Sequence, residues 1–375
     1  MKFRDLGKQY ESLKTDIDNA IQEVLNTGTF IGGEPVQLLK NELKDYVDKK
    51  YCITCGNGTD ALTMVLKAWN IGKNDAVFVP DFTFFASAEV VAFEGATPVF
   101  YDVCEDTYNA DVKSLERAIE AVRSEGKLEP RAIIAVDLFG LPADYCALNK
   151  IAKKYNLLLL EDGAQGFGGR INDAKACSFG DAATTSFFPA KPLGCYGDGG
   201  AIFTDDSEVA SYIESIAVHG KGSFKYDNVR IGWNSRLDTI QAAILRCKLK
   251  AFKEVELDAV NLAAKMYTER LEGCVKVPVV PEDFYSSWAQ YTIQTESEEQ
   301  RNKIQEALKV EGIPTMVYYP KAMHAQGAFS GNPMYVECPV TERLCATVLS
   351  LPMHPYITEK EIDLITQSIK RIFNK

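Results

Sequence analysis

From residue 51 to residue 204 the chain repeats one pattern, a short apolar run followed by a stretch of helical periodicity. The apolar runs are Tyr51–Cys55, Ala76–Pro80, Thr97–Asp102, Ala132–Leu138 and Leu157–Glu161, with Ala183–Phe187 and Ala201–Thr204 after them. Between them, Thr59–Trp69, Phe84–Glu94, Val112–Arg123 and Tyr145–Tyr155 read as helices. Strands that are apolar throughout must be covered on both faces, and helices between strands give parallel crossovers. The pattern therefore predicts an α/β fold around a largely parallel sheet. Such a sheet binds its ligand beyond the carboxyl ends of its strands. Three segments fall there: Gly56–Asp60, Asp162–Gln165 and Ser186–Lys191.

The flanks are helical. Leu13, Ile17, Ile21 and Leu25 mark one helix over Tyr10–Asn26, stopped by Thr27-Gly28. Ile31–Pro35 turns into a second, Val36–Val47. A long helical region runs from Leu237 to Leu271 and changes direction near Ala251–Val255. Val275–Val280, Ala289–Thr295, a helix at Glu298–Glu311 and a terminal helix at Glu359–Phe373 then suggest a smaller α+β unit. The expected division is a large domain, residues 1–250, and a small C-terminal domain, residues 251–375. A chain of 375 residues has room for both.

A net charge of −11 argues against general binding to nucleic acid or membrane surfaces, which want a basic face. The N-terminus turns polar at once, without the apolar core of a signal peptide, and no apolar run approaches a membrane span. Ten cysteines show no scaffold rhythm, which fits a reducing cytoplasm. Cys52 and Cys55 form a lone CxxC. In a strand, residues three apart face opposite ways, so these read as buried thiols. The three histidines, His219, His324 and His354, have no chelating spacing, and no metal is expected.

Gly56-Asn57-Gly58-Thr59-Asp60-Ala61 follows a strand and opens a helix. Helix N-termini offer free N–H groups to phosphate. The same stretch matches G-x-G-x-x-A, so a dinucleotide site fits it too, as does a tight turn capped near Thr59. Leu157–Leu160 ends in Glu161-Asp162, and an acid at the end of a buried strand needs a cationic partner. Lys191 lies between Pro189 and a glycine cluster, on a loop that is neither helix nor strand. A phosphate cradle, a strand-end carboxylate and a loop lysine with Ser186 nearby are the parts that hold pyridoxal 5'-phosphate. A free lysine is neutral in only roughly one molecule in a thousand at pH 7. Bonding it to the cofactor removes that penalty. Phe84, past the strand end, could stack on the ring or pack in the core.

The run Ser186-Phe187-Phe188-Pro189-Ala190-Lys191-Pro192-Leu193-Gly194, with Gly197–Ala201, resembles the catalytic loop of nucleotide-sugar aminotransferases of the DegT/DnrJ/StrS type. The resemblance spans nearly the whole chain. It includes Thr27–Gly33, Gly56–Leu62, Glu161–Gln165, Asn234–Asp238 and Tyr318-Tyr319-Pro320 before His324. It implies a fold-type I pyridoxal-phosphate transferase with a large domain and a smaller C-terminal domain. Lys191 would be the aldimine and proton-transfer lysine, and Asp162 would pair with the pyridinium. Gln165 would contact the ring hydroxyl, and Phe84 would cover the ring. Ser186 and the Gly58-Thr59-Asp60 backbone would hold the phosphate. Asn234 would reach the phosphate of a neighbouring subunit, which implies a homodimer with shared sites. Relatives with histidine in place of the lysine act as sugar dehydratases.

The finer resemblance is to enzymes acting on UDP-2-acetamido-2-deoxy-3-oxo-glucuronate. It rests on Pro192–Asp198, on Val218–Gly222 and on Tyr226–Gly232. The expected reaction moves an amino group from L-glutamate to C3 of a UDP-linked ketosugar, for surface polysaccharide or lipopolysaccharide synthesis. The alternatives are a pyridoxal-phosphate sugar dehydratase or an aminotransferase acting on a dTDP- or GDP-linked ketosugar. An NAD-dependent oxidoreductase would leave Lys191, Ser186 and Asp162 without matched roles. His219, Lys221, Lys225, Arg230 and Arg236 cluster in an otherwise acidic chain, as an anionic substrate would require. Arg236 is the preferred carboxylate partner. Tyr318, Tyr319 and His324 are further candidates for substrate contact.

Overall fold

The computed structural model describes residues 1–224 and 226–373. Two helices come first, α1 (Leu6–Thr27) and α2 (Glu34–Val47), and then the apolar runs begin. Strands β1 (Tyr51–Cys55), β2 (Asp75–Pro80), β3 (Thr97–Tyr101), β4 (Glu129–Val136) and β5 (Leu158–Asp162) alternate with helices α3 (Gly58–Ala68), α4 (Ala86–Phe93), α5 (Val112–Glu125) and α6 (Tyr145–Tyr155). A small hairpin, β6 (Arg170–Ile171) and β7 (Ala174–Lys175), precedes β8 (Ala182–Ser186) and β9 (Gly200–Thr204). The seven-stranded sheet has the order β1-β9-β8-β5-β4-β2-β3. Pairings across β2, β3, β4, β5 and β8 are parallel, and β9 alone runs against its two neighbours.

Strand alternation sorts the sheet into two faces. Ile53, Val77, Val79, Ile134, Leu160 and Ile202 pack with α3 and α4 and with helix α7 (Ser207–Ile216). On the opposite face Ala76, Phe78, Val99, Ile133 and Leu159 pack with α5 and α6. Cys52, Ala183 and Phe203 pack there with α2 and with α8 (Thr239–Ala251). Cys52 and Cys55 fall into different cores as free thiols, as strand alternation requires. Aspartates cap several helix starts, among them Asp111, Asp144, Asp206 and Asp238. Asp206 and the apolar spacing after it signal α7, which the strand–helix pattern passes over.

Past α8 the helix continues through a π-type turn, Phe252–Glu256, into α9 (Leu257–Leu271). Short β10 (Phe284–Tyr285) pairs with β6. The next strand, β11 (Tyr291–Gln294), leads to α10 (Glu298–Val310), α11 (Pro339–Thr347), β12 (Val348–Leu351) and α12 (Glu359–Phe373). An antiparallel pair of β11 and β12 shares a core with α9 and α12 through Tyr267, Tyr291, Ile293, Leu349 and Ile365. Part of this C-terminal region packs back on the large sheet's core through Met323, Phe329 and Leu344. Among the described residues, no helix is long and apolar enough to cross a membrane.

Candidate active site

The ends of β1, β2, β5 and β8 open into one cavity of about 920 Å³, closed on its far side by Val317–Lys321. Gly58 lies against Ser186, and a Cβ there would come within 2.8 Å of the serine's own. Gly200 lies against the Asn57 carbonyl, where a Cβ would stand 2.6 Å from the oxygen. These contacts press the start of α3 onto the ends of β8 and β9. The helix is capped by Asn57, whose Oδ1 accepts from Asp60 N at 2.8 Å. Among the described residues, no group accepts from Gly58 N, Thr59 N or the Thr59 hydroxyl. Those donors and the positive end of α3 border the cavity.

That geometry corrects two expectations. The cap is Asn57, not Thr59. The Asp60 N–H is spent on the Asn57 side chain and is not available to a phosphate. The Asp60 carboxylate is engaged as well, accepting from Ser235 Oγ at 2.5 Å, and Ser235 Oγ accepts from Gly56 N at 2.9 Å. Of the expected Gly58-Thr59-Asp60 cradle, the first two residues keep free donors.

Asp162 ends β5 at 4% exposure. Its Oδ2 accepts from Ser87 Oγ at 2.8 Å and its Oδ1 from Ala164 N at 3.2 Å. Burial raises its pKa, with these neutral donors and the Lys191 charge working in opposition. Lys191 stands across the cavity on the loop between β8 and β9, its N–H donating to Phe188 O at 2.8 Å in a tight turn. Burial pushes its ammonium pKa down, Asp162 raises it, and Arg4 lowers it further. Each group thus lacks a full counter-charge.

Gln165 is fixed at both ends, its Oε1 accepting from Phe139 N at 2.8 Å and its Nε2 donating to Tyr319 Oη at 3.0 Å. Phe84 is 54% exposed and stands at the cavity, its ring centroid 6.3 Å from that of Tyr319, so core packing does not hold it. Tyr318 and Tyr319 form part of the wall. Ser186 is there too, its Oγ accepting from Phe188 N at 3.2 Å.

Other expected contacts lie elsewhere. His324, expected at the substrate, is turned to the buried Asp81. Its N–H donates to Asp81 Oδ1 at 2.8 Å, and Nδ1 stands 2.6 Å from Oδ2. It anchors the loop after Tyr319 to the end of β2. Asn234 and Arg236 are exposed, and an Arg236 N–H donates to Asn234 Oδ1. Arg236, Lys221 and Arg230 border a separate cleft of about 750 Å³. His219 is exposed, its N–H donating to Trp233 O at 2.7 Å. Lys225 lies outside the described residues. Ser87, Gln290 and Lys321 border the main cavity and escaped the sequence reading. Ser87 had a weak signal, a hydroxyl in the first turn of a helix that follows a strand end.

Comparison with known proteins places this geometry. The model of the DegT/DnrJ/EryC1/StrS aminotransferase family matches residues 11–370. The UDP-2-acetamido-2-deoxy-3-oxo-D-glucuronate aminotransferase of Pseudomonas aeruginosa is 42% identical, over 98% of this chain and 99% of its own. A UDP-N-acetyl-3-dehydro-alpha-D-glucosamine 3-aminotransferase of Acidithiobacillus ferrooxidans is 38% identical, over 98% and 96%. A crystal structure of a family aminotransferase from Brucella abortus covers 100% of both chains at 47% identity and a TM-score of 0.97. Two further relatives bear on the chemistry. A dTDP-3-amino-3,6-dideoxy-alpha-D-galactopyranose transaminase of Aneurinibacillus thermoaerophilus is 35% identical, over 98% of each chain. NtdA of Bacillus subtilis is 28% identical with a TM-score of 0.87, over 97% of this chain and 82% of its own, and was solved with bound cofactor PMP.

The fold is that of the fold-type I aminotransferases, and the family's cofactor is pyridoxal 5'-phosphate. The residues present fit that group. Its phosphate suits the free N–H groups of Gly58 and Thr59, and its pyridinium would give Asp162 the cation that its neutral donors do not supply. Lys191 presents the amine that the cofactor's aldehyde requires. With the match spanning almost its full length, the chain belongs to the DegT/DnrJ/EryC1/StrS family, the pyridoxal-phosphate aminotransferases of nucleotide-linked sugars.

Proposed function

We propose that this enzyme moves the amino group of L-glutamate to the C3 keto carbon of a UDP-linked, N-acetylated uronic acid, in surface polysaccharide synthesis. The carrying observation is that Lys191 and Asp162 border one cavity and act on each other's charge, together with the free N–H groups of Gly58 and Thr59. The full-length likeness to an enzyme named for that ketosugar supports the choice of acceptor.

When bound, pyridoxal 5'-phosphate holds the amino group between the two half-reactions and draws electron density from the carbon that bears it. The chain's residues do the rest. Gly58 N and Thr59 N, with Ser186, bind the phosphate. Asp162 keeps the ring nitrogen protonated, and Ser87 orients its carboxylate. Phe84 would cover the ring, and Tyr319 forms the cavity wall next to it. Lys191 moves the proton, and burial lowers its pKa so that more of it is neutral at working pH. Glutamate leaves as 2-oxoglutarate, and the ketosugar leaves as the amine.

The basic residues that do not border the chain's own cavity fit a shared site. Phe224, Tyr226, Val229 and Ile231 are 54–92% exposed on the same segment as Asn234 and Arg236. A second copy would cover this apolar surface and receive Asn234 at its phosphate, so the working unit is a cytoplasmic homodimer. Residues 1–250 form its cofactor-binding domain and 251–375 the smaller one.

The test is incubation of the purified enzyme with glutamate and a panel of UDP-, dTDP- and GDP-ketosugars, read by product mass. Amination of the UDP-3-keto-uronate is expected. Amination of a dTDP-ketosugar alone would favour the second reading, to which the Aneurinibacillus relative lends weight. Lys191→Ala is expected to cut kcat by about 1000-fold, within the range of a lost acid–base group. Near-normal turnover would refute the assignment.

A further inference from the structure

The loop that carries Lys191 has neither helix nor strand to hold it, yet two cationic side chains from distant parts of the chain grip its backbone. Arg4 donates from one guanidinium nitrogen to the carbonyl of Lys191 itself at 2.8 Å, and to that of Pro192 at 3.3 Å. Lys248, 1% exposed on α8, donates to the carbonyl of Gly194, and its ammonium lies 5.0 Å from the Tyr196 ring centroid. Neither cation borders the cavity.

Arg4 is itself held by its neighbours. Phe3 O accepts from Met353 N at 3.1 Å, and the Phe3 ring meets Tyr318 edge-on at 6.2 Å. Asp5 Oδ1 accepts from Lys8 N at 3.0 Å and caps α1. Beneath this strap lies Glu256, 3% exposed, which accepts from Gln9 Nε2 at 2.8 Å and Tyr356 Oη at 2.9 Å and offsets the two cations.

The geometry points to Arg4 as a positioning residue for the reactive lysine, acting with Lys248 to fasten the Lys191 loop through its main-chain carbonyls. Lysine has a long, flexible stem, so its amine is aimed only as well as its Cα is fixed. Arg4 Nη2 carries two N–H donors and divides them between two adjacent carbonyls, and the rigid guanidinium plane fixes their directions better than the freely rotating ammonium of a lysine would. The N-terminal strap thereby links three things: the Lys191 loop, the Tyr318 wall and the start of α1. The inference rests on the reading of Lys191 as the reactive amine.

Arg4→Gln in the full-length holoenzyme tests it. A misplacement of about 1 Å at a reacting group costs up to about 100-fold. The expected result is a kcat lower by about 10- to 100-fold with KM for both substrates within about twofold. Hydrogen exchange of the loop peptide between Phe187 and Gly199 should speed up by about tenfold, while peptides of the central sheet keep wild-type protection. Arg4→Lys should recover part of both losses. Wild-type kcat, unchanged loop exchange, or an effect on KM alone would overturn the proposal. Should Arg4→Gln fail to fold, Arg4→Lys carries the test: a several-fold drop in kcat at constant KM supports it, and equality with wild type overturns it. A Lys191→Ala enzyme that keeps turnover would instead overturn the underlying reading of the site.

Discussion

Glu161 and Asp162 are consecutive residues at the end of β5, and strand alternation turns them to opposite faces of the sheet. Both are buried, at 0% and 4% exposure, and burial raises both pKa values. Their surroundings differ. Glu161 accepts from Phe179 N at 2.7 Å and from Cys177 N, and it faces Asp137. Asp137 accepts from Tyr145 Oη at 2.8 Å and Ala143 N at 3.0 Å through Oδ1, and burial pushes it up to about 7. A proton shared with Glu161 would serve Asp137 Oδ2, which has no other partner among the described residues. The Glu161 side is therefore complete within the protein. Asp162 has two neutral donors, a cavity beyond them and a lysine across it. Burial and a raised pKa do not by themselves mark a functional carboxylate; an unmet need for a cation does.

The largest expected break in this comparison is Asp162→Asn. Removing one partner of a buried charge pair costs about 3–5 kcal/mol, so cofactor retention and both half-reactions should weaken by about 150- to 5000-fold. Cofactor release on dialysis and single-turnover rates with each substrate would measure it. A loss confined to the sugar half-reaction would contradict the pyridinium role.

Glu161→Gln should do the reverse, sparing kcat and costing stability. An amide cannot accept from both Cys177 N and Phe179 N, and one unsatisfied buried N–H costs about 1–3 kcal/mol. The pH dependence sharpens the contrast. Asp137 titrates higher folded than unfolded, so the folded state holds the extra proton. Its stabilising contribution is present at acid pH and is lost as pH rises from the ordinary carboxylate range through about 7. Wild type and Glu161→Gln should therefore differ more at pH 5 than at pH 8 in urea unfolding. A gap that widens with pH would exclude the shared proton.

The smallest effect is expected from Ser87→Ala, which removes one hydrogen bond to Asp162 and leaves its carboxylate in place. A single such bond is worth about 1 kcal/mol, so cofactor affinity should fall by about fivefold. Titration of the stripped enzyme with cofactor would register it. No change would mean that Ala164 N suffices to orient the acid.

The sequence disclosed most of the sheet because its strands are apolar on both faces, a pattern that few surroundings permit. The segments beyond their carboxyl ends, Gly56–Asp60, Asp162–Gln165 and Ser186–Lys191, were found for the same reason, and they do border one cavity. Short elements were harder. β6, β7 and β10 are two residues each, too brief for any periodicity. α11 opens on Pro339, a start signal, but two of its four buried positions are threonines, which blurs the apolar stripe. Side chains whose meaning lies in distant contacts were not legible at all. Arg4 reads as a polar N-terminal residue, and nothing near it in sequence names the Lys191 carbonyl. Lys248 left one trace, for it stands four residues after the buried Ile244 on the inward stripe of α8, where a lysine needs a partner. His324 misled because a histidine after two tyrosines near a site suggests contact, and only the fold reveals Asp81 behind it.

The strand that runs against the others has a consequence for the lysine. The loop leaves the sheet at Ser186 and rejoins it at Gly200, and these two residues are register partners in the antiparallel β8–β9 pair. It is a hairpin, not a crossover, so it begins and ends at one address. Its length and composition can change without sliding any other strand, and the phosphate turn and Asp162 stay where they are. The hydrogen bonds of Arg4 and Lys248 to the loop go to main-chain oxygens, which every residue supplies. The lysine thus rides on an exchangeable cartridge, and the same socket would seat a different side chain, with a different chemistry, in its place.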